Sequence, residues 1–262
     1  MKHQSDILAL KYRPKDFGDL IGQEYLVDTI QKSIQLNKIP NAYIFTGIRG
    51  VGKTTTARIV AKMLNCTAFD SSNKPDLLSC EQAKAITEDR HPDVIEIDAA
   101  SNTSVENARE IIENVKYNPV LGKYKVYIID EVHMLSKSAF NALLKTLEEP
   151  PPHSKFIFAT TEVSKVPITI LSRCQRFDLR RIDKKVLSLF LETIANKENI
   201  LIEKEALNLI VKASDGSARD SLSILDQANV FKLEDTIKTE EIINMLGYSK
   251  LSDLYNLSLI HI

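Results

Sequence analysis

The chain has 262 residues, of which 44% are hydrophobic and 26% charged, and its net charge is −1. This composition supplies enough apolar material for one or two folded domains, and it lacks the basic surplus of a protein that binds nucleic acid on its own. No apolar run approaches the roughly 18 residues of a membrane span and no signal peptide is recognisable, so we expect a cytoplasmic protein with no membrane contact.

Five short apolar runs in the N-terminal two thirds of the chain predict β-strands. They are apolar at most positions rather than at alternate positions, which is typical of a parallel sheet covered on both faces. Helical spacing lies between these runs, and the alternation predicts a three-layer α/β domain over residues 1–180. The predicted strands are 42–46, 94–98, 125–130, 156–160 and 175–179, and the predicted helices are 23–35, 53–64, 105–115 and 136–147.

The pattern changes after residue 180, where four stretches have helical spacing and no strand-like run appears. Asp183, Glu203 and Asp215 lie near helix starts, where acidic side chains can cap the helix or interact with its dipole. We therefore expect a small all-α domain over residues 181–243. Residues 251–262 begin like another helix and then stop, and we interpret residues 244–262 as a truncated start of a further domain or a foreign tail, with a frayed natural terminus as the alternative. The predicted helices are 184–196, 203–213, 218–231 and 239–246.

The octapeptide Gly-Ile-Arg-Gly-Val-Gly-Lys-Thr follows the first predicted strand and leads into a predicted helix. It matches the phosphate-binding pattern G-x-x-x-x-G-K-[ST] in the structural context that this pattern requires. Gly47, Gly50 and Gly52 let successive backbone N–H groups point at phosphate oxygens. Lys53 is expected to reach the β- and γ-phosphates, and Thr54 to offer its hydroxyl to Mg²⁺. The segment therefore predicts a P-loop that binds a nucleoside triphosphate.

Polar side chains follow two further predicted strands. Asp130 ends the third strand, where it can hold Mg²⁺, and Glu131 can orient or deprotonate an attacking water. A carboxylate directed at water favours hydrolysis over transfer to a small acceptor, so we expect an ATPase rather than a kinase. Thr160 and Thr161 end the fourth strand, where they can sense the γ-phosphate or position the water, or simply cap the strand.

Ten short motifs are spread over residues 8–247. They are YRP from Tyr12, IGQE from Ile21, the P-loop, VIEIDAAS from Val94, IIDEVHML from Ile128, FNALLK from Phe140, LEEPP from Leu147, ATT from Ala159, SRC from Ser172 and GSARDS from Gly216. Together they closely resemble the motifs of the clamp-loader AAA+ ATPases. This resemblance implies a P-loop AAA+ fold with a helical lid domain, ATP and Mg²⁺ as ligands, and the ATP-driven loading of a sliding clamp onto primed DNA in replication.

The resemblance also implies roles for matching residues. Thr160 would be the first sensor, Arg219 the second sensor, and Arg173 an arginine finger that acts on ATP held by the neighbouring subunit. For Arg219 the alternative is an exposed arginine paired with its neighbour Asp220. The nucleotide contacts expected besides the phosphate-site residues above are Tyr12, Arg13, Leu20, Ile21, Gly22 and Gln23 around the adenine, with Val51, Thr55 and Arg219 elsewhere in the site.

The implied partners are other clamp-loader subunits in a hetero-pentamer, the sliding clamp, and primer–template DNA gripped by the assembled complex. Two alternatives remain open at this point. One is an AAA+ branch-migration or helicase motor, which shares the P-loop elements. The other is an AAA+ scaffold subunit that does not hydrolyse ATP, against which the intact Lys53, Thr54, Asp130 and Glu131 argue.

One departure from the family pattern concerns zinc. The family usually carries a module of four cysteines between the P-loop helix and the second strand. This chain has Cys66 and Cys80 in that region and one further cysteine, Cys174. Two thiolates do not close a tetrahedral site, so we expect no structural zinc.

Overall fold

The computed structural model describes residues 7–68, 76–77, 79–101, 105–232 and 235–247. The described residues divide into two compact units, one within residues 14–180 and the other formed by residues 181–247 together with residues 7–13. The domain boundary predicted from the sequence lies at residue 180. We expected the N-terminal segment up to Arg13 in the α/β domain, and the structure instead places it with the helical unit.

The α/β unit contains a five-stranded parallel sheet in the order β2-β3-β4-β1-β5. The prediction of a parallel sheet is confirmed, and three of the five strands begin and end where the sequence predicted. The strands are β1 (Ala42–Thr46), β2 (Val94–Asp98), β3 (Lys125–Asp130), β4 (Ser154–Thr160) and β5 (Gln175–Asp178). The α-helices are α2 (Glu24–Gln35), α3 (Lys53–Asn65), α4 (Glu81–Thr87), α5 (Val105–Val115), α6 (Lys137–Glu148) and α7 (Ile168–Leu171).

The core of this unit lies on both faces of the sheet. The central strands β1 and β4 are buried at every position, as the continuous apolar runs indicated. Along β1, Tyr43 and Phe45 face the layer formed by α2 and α3, whereas Ala42 and Ile44 face the layer formed by α5 and α6. This alternation follows from the two-residue period of a strand.

The second unit is mainly helical. It comprises α1 (Leu8–Lys11), α8 (Lys184–Lys197), α9 (Lys204–Ala213), α10 (Ala218–Phe231) and α11 (Thr239–Met245). A pair of two-residue parallel strands, β6 (Leu201–Ile202) and β7 (Thr236–Ile237), also lies here. The all-helical prediction missed this pair, because strands this short produce no recognisable apolar run.

The N-terminal segment belongs to this unit for two reasons. Helix α1 packs against α10, and Leu8 is buried. In addition, the Lys11 ammonium lies 2.7 Å from a carboxylate oxygen of Glu198, which also accepts a hydrogen bond from the Tyr12 hydroxyl. A local sequence pattern does not encode contacts between side chains that are so far apart along the chain.

The acidic residues expected at helix starts behave differently from one another. Asp183 caps α8 by accepting a hydrogen bond of 2.8 Å from Lys185 N–H. Glu203 instead accepts from the N–H and hydroxyl of Thr239, at the start of α11. Asp215 has a positive φ, and Ser217 provides the cap of α10.

The predicted tail over residues 244–262 falls outside the described residues beyond Gly247. Within the described ranges, no helix is long and apolar enough to cross a membrane.

A buried carboxylate fixes the loop that leads into β3. Asp93 is 1% exposed and accepts hydrogen bonds of 2.7 Å from the backbone N–H groups of Val120, Leu121 and Gly122. Burial raises the pKa of Asp93, but these three N–H groups together lower it below its ordinary value of 3.8. The loop is thereby held in one conformation immediately before the strand that carries Asp130.

We predict that Asp93→Ala lowers the free energy of unfolding by about 2–4 kcal/mol at pH 7, because it removes the carboxylate that accepts three backbone hydrogen bonds and holds this loop. The folded pKa lies below the unfolded value of about 3.9, so this stabilisation is present above that pH and is lost as pH falls through the folded pKa. Urea unfolding between pH 3 and pH 7 measures the difference. Asp28→Ala, which removes an exposed carboxylate from α2, is the control. Equal unfolding midpoints for the two variants at pH 7 would contradict the assignment.

Candidate nucleotide-binding site

The P-loop turns sharply between β1 and α3, and two glycines make this turn possible. Gly47 has φ +146°, and a Cβ there would lie 2.7 Å from the backbone oxygen of Leu179, which no side chain tolerates. Gly52 has φ +103° and directly precedes the first residue of α3. The N–H groups of the first helical turn have no partner within the helix, so they are available to an anion.

Lys53 is the cation of this loop. It is 6% exposed, and its Nζ donates a hydrogen bond of 3.0 Å to the backbone oxygen of Ile48. Burial lowers the pKa of Lys53, while the nearby carboxylates of Glu131 and Asp130 raise it, and the net shift is downward. A buried ammonium that rests on a loop carbonyl is suited to bind a phosphate oxygen in its place.

Thr54 and Asp130 are brought together at the start of α3 and the end of β3. The Thr54 hydroxyl donates a hydrogen bond of 2.5 Å to Asp130 Oδ2, and Glu131 N–H donates to Oδ1 at 2.9 Å. A hydroxyl and a carboxylate are oxygen ligands of the kind that Mg²⁺ prefers. The residues present therefore fit the expected metal, although their role as its ligands stays a prediction.

Glu131 is held by Thr161. The N–H and the hydroxyl of Thr161 donate to Glu131 Oε2 at 3.1 and 3.0 Å, and Glu131 itself has φ +44°. His133 Nδ1 lies 3.4 Å from the same oxygen. In the part of the chain that the structure describes, no hydrogen bond reaches Oε1, and the role of Glu131 towards water stays a prediction.

Thr160 has a different environment from its neighbour. It is fully buried, its hydroxyl lies 2.9 Å from His133 Nδ1, and it accepts a hydrogen bond of 3.0 Å from Glu162 N–H. The family resemblance assigned the sensor role to Thr160, yet it is Thr161 that contacts Glu131. We gave His133 no role in the sequence analysis, although it stands two residues after Glu131 in the quoted motif.

The segment expected to line the adenine pocket packs against the P-loop. The Leu20 side chain belongs to the same core cluster as Val51. The Gln23 amide binds the backbone of Arg180 at both ends, donating to its oxygen at 2.8 Å and accepting from its N–H at 3.2 Å. Gln23 thus ties this segment to the chain that follows β5. Nucleotide contacts by Leu20, Ile21, Gly22 and Gln23 stay predictions, as do those by Val51 and Thr55.

Three other predicted nucleotide contacts lie in the helical unit. Tyr12 and Arg13 follow α1, and the Tyr12 hydroxyl is engaged by Glu198. Arg219 is exposed in the first turn of α10, and within the described ranges it forms no ion pair with Asp220. Contact of these three residues with the nucleotide stays a prediction.

Arg173 lies on the surface of the α/β unit, just after α7. Its Nη2 donates to Glu148 Oε1 at 2.5 Å, and its Nη1 donates to the backbone oxygen of Thr169 at 2.7 Å and to Ser172 Oγ at 3.3 Å. These partners lie on α6 and at α7, and among the described residues Arg173 donates no hydrogen bond to Asp130 or Glu131 of its own chain.

Comparison with protein families identifies the chain. The family model described as "DNA polymerase III, delta subunit" matches residues 22–183, and the model described as "DNA polymerase III clamp loader subunit, ATPase lid domain" matches residues 187–231. The chain belongs to the clamp-loader subunit family of DNA polymerase III. The two matches fall on the α/β unit and on the helices that follow it, and the prediction of an AAA+ fold with a helical lid is confirmed.

Curated relatives of this clamp-loader subunit are about half identical to it. The tau/gamma subunit of Haemophilus influenzae DNA polymerase III is 48% identical over 97% of the chain and 36% of its own length. The tau subunit of Escherichia coli is 47% identical over 92% of the chain and 37% of its own length. The chain therefore spans about a third of the length of these relatives.

Solved structures share the fold of this clamp-loader subunit at low identity. The Thermotoga maritima RuvB Holliday-junction branch-migration motor aligns with a TM-score of 0.64 and 18% identity, over 90% of the chain and 72% of RuvB. At this identity the likeness shows the fold alone.

The two cysteines near the expected zinc position pack together in this clamp-loader subunit. Cys66 and Cys80 are buried beside Ala83. Burial raises the pKa of Cys66 to about 12. Burial also acts to raise the pKa of Cys80, but hydrogen bonds from Ala83 and Cys66 outweigh it, and the pKa of Cys80 is lowered to about 7. Among the described residues, no group of three or more His, Cys, Asp and Glu side chains is placed to hold a metal. Residues 69–75 and 78 lie outside that description, and the expected lack of zinc stays a prediction.

We predict that Thr161→Val lowers kcat for ATP about threefold to tenfold with KM unchanged, because Glu131 loses one hydrogen-bond donor of ordinary strength. Thr161→Ser keeps the hydroxyl and is expected to retain the parent rate. Steady-state ATPase assays on both variants make the comparison. A valine variant that turns over like the serine variant would refute the positioning of Glu131 by the hydroxyl.

Proposed function

We propose that this clamp-loader subunit hydrolyses ATP with Mg²⁺, and that hydrolysis drives the loading of a sliding clamp onto primed DNA. It would act in the cytoplasm with other loader subunits in a hetero-pentamer, as part of a DNA polymerase III holoenzyme whose polymerase activity lies in another chain. The observation that carries this proposal is the meeting of Lys53, the Thr54–Asp130 pair and the Glu131–Thr161 pair at one edge of a parallel sheet.

Nucleotide binding uses the groups at the start of α3. Lys53 exchanges the carbonyl of Ile48 for oxygens of the β- and γ-phosphates, and the first N–H groups of the helix point at the same phosphates. Thr54 and Asp130 would hold Mg²⁺, which would neutralise phosphate charge when bound. Gly47 lets the loop backbone adopt this shape, because a Cβ at that position would lie 2.7 Å from the backbone oxygen of Leu179.

Hydrolysis uses Glu131. Oε1 accepts a proton from the attacking water. At the same time the water oxygen bonds to the γ-phosphorus, and the bond between the γ-phosphorus and the oxygen that stays with ADP breaks. Thr161 keeps Oε2 occupied, so that the open oxygen faces the water. Arg173 of a neighbouring subunit stabilises the charge that develops on the transferred phosphoryl group.

A branch-migration motor is the alternative function, and the choice of DNA substrate separates the two. We expect the ATPase rate of the assembled complex to rise when a sliding clamp and primed DNA are added together. Branched DNA without a clamp should leave the rate unchanged. Stimulation by branched DNA alone would favour the alternative.

Two substitutions are predicted to separate nucleotide binding from turnover. Lys53→Ala should abolish measurable ATP binding, because it removes the buried cation that meets the phosphates. Glu131→Gln should keep the affinity for ATP and reduce kcat at least 100-fold, because only the water-directed step loses its base. Calorimetric titration and single-turnover assays provide the two readings. Parent-like hydrolysis by Glu131→Gln would exclude Glu131 as the base.

We predict that Arg173 acts on the ATP of a neighbouring subunit. Arg173→Ala should hardly change the slow hydrolysis of the isolated chain, yet it should lower the clamp- and DNA-stimulated rate of the assembly at least 100-fold, given that an arginine finger contributes about 10³–10⁵ in rate. Mixed assemblies test this directly. A Lys53→Ala subunit with intact Arg173 should restore activity at an interface with an Arg173→Ala subunit. Loss of turnover in the isolated Arg173→Ala chain would instead place the arginine in its own subunit's site.

A further inference from the structure

The Arg173 guanidinium is held at two of its three nitrogens. Nη1 has two hydrogens, and both are used, by the backbone oxygen of Thr169 and by Ser172 Oγ. Both acceptors lie within four residues of Arg173 in the chain. The bond of 2.5 Å from Nη2 to Glu148 Oε1 adds a contact with a different helix, α6, and it restrains the other end of the guanidinium. The remaining donors, Nε–H and one Nη2–H, have no acceptor among the described residues and remain available to a ligand.

Glu148 occupies a position that a carboxylate normally avoids. It is the last residue of α6, where the negative end of the helix dipole disfavours an acidic side chain, and Glu149 follows with the same charge. Glu149 is exposed, and within the described chain it forms no side-chain hydrogen bond or ion pair. The ion pair with Arg173 offsets the unfavourable placement of Glu148 alone, so the two adjacent glutamates are structurally distinct.

The ion pair is accessible to solvent, since the side chains of Arg173 and Glu148 are 34% and 50% exposed. An exposed pair of this kind adds little to folding stability. Its main physical effect is therefore on the orientation of the guanidinium rather than on the fold.

We propose that Glu148 is a positioning residue for Arg173, holding the guanidinium plane so that its open edge faces the phosphate of a neighbouring subunit. This inference rests on the proposed role of Arg173 in trans. If the guanidinium is oriented before the subunits meet, the hydrolysis step no longer includes the entropic cost of orienting it. This raises kcat without changing the affinity for ATP. A competing role, in which Glu148 sequesters the arginine, has the opposite consequence for the rate.

The test measures clamp- and DNA-stimulated ATPase in the assembled complex with the full-length chain. We expect Glu148→Ala to lower kcat about threefold to tenfold with KM unchanged. Glu148→Gln keeps an acceptor for Nη2–H and should retain at least half of the parent rate. Glu149→Ala is the matched control, because it removes the same charge one residue away, and it should leave the rate unchanged. In an Arg173→Ala background, Glu148→Ala should have no further effect.

Four results would overturn the positioning role while leaving the function of Arg173 intact. The first two are a stimulated rate of Glu148→Ala that is higher than the parent rate or equal to it. The third is that Glu148→Ala lowers the rate as much in the Arg173→Ala background as in the parent. The fourth is that Glu149→Ala lowers the rate as much as Glu148→Ala does. If Arg173→Ala itself leaves the stimulated rate unchanged, the assignment of Arg173 as an arginine finger is wrong, and so is the positioning role of Glu148. Size-exclusion chromatography of each variant complex verifies that assembly is intact before rates are compared.

Discussion

Parallel pairing of β1, β3 and β4 is the constraint on which the candidate site depends. In parallel strands the carboxyl ends lie at the same edge, about 4.8 Å apart between neighbours. The register pairs Thr46 with Thr160 and Ile129 with Phe158, so the segments that follow these strands begin side by side. This arrangement, rather than closeness in sequence, brings a loop near residue 50 to acidic residues near 130 and threonines near 160.

Hydrogen bonds between these segments then set the direction of each functional side chain. The Thr54 hydroxyl fixes Asp130, and Thr161 fixes Glu131 through one of its two oxygens. Lys53 is buried beside both carboxylates and rests on the P-loop backbone. For the proposed function, these hydrogen bonds mean that the side chains are already oriented before a triphosphate and a metal ion bind.

The sequence predicted the α/β unit well because its strands are buried on both faces, which leaves continuous apolar runs that contrast with the helices between them. It predicted the P-loop for a similar reason, since the glycines and Lys53 act through local backbone geometry. Side-chain direction at strand ends was harder to predict. Thr160 is the last residue of β4 and is buried, whereas Thr161 lies just after the strand and donates to Glu131.

Contacts between residues far apart in sequence account for the remaining differences between the predictions and the structure. The N-terminal segment joins the helical unit through contacts such as the ion pair of Lys11 with Glu198. The Gln23 side chain donates a hydrogen bond to the backbone oxygen of Arg180. The pairing of Glu148 with Arg173 is likewise invisible in a one-dimensional pattern, in which Glu148 and Glu149 look equivalent. Each case depends on a partner that is remote in sequence, so only the folded chain reveals it.

The central claim is that this sheet edge binds ATP through Mg²⁺. The most direct measurement is calorimetric titration of the chain with ATP, once with Mg²⁺ present and once with the metal removed by EDTA. The account predicts one ATP per chain and an affinity at least tenfold weaker without Mg²⁺, because Thr54 and Asp130 then contribute no metal bridge to the phosphates. An absence of binding, or an affinity that does not depend on Mg²⁺, would contradict it.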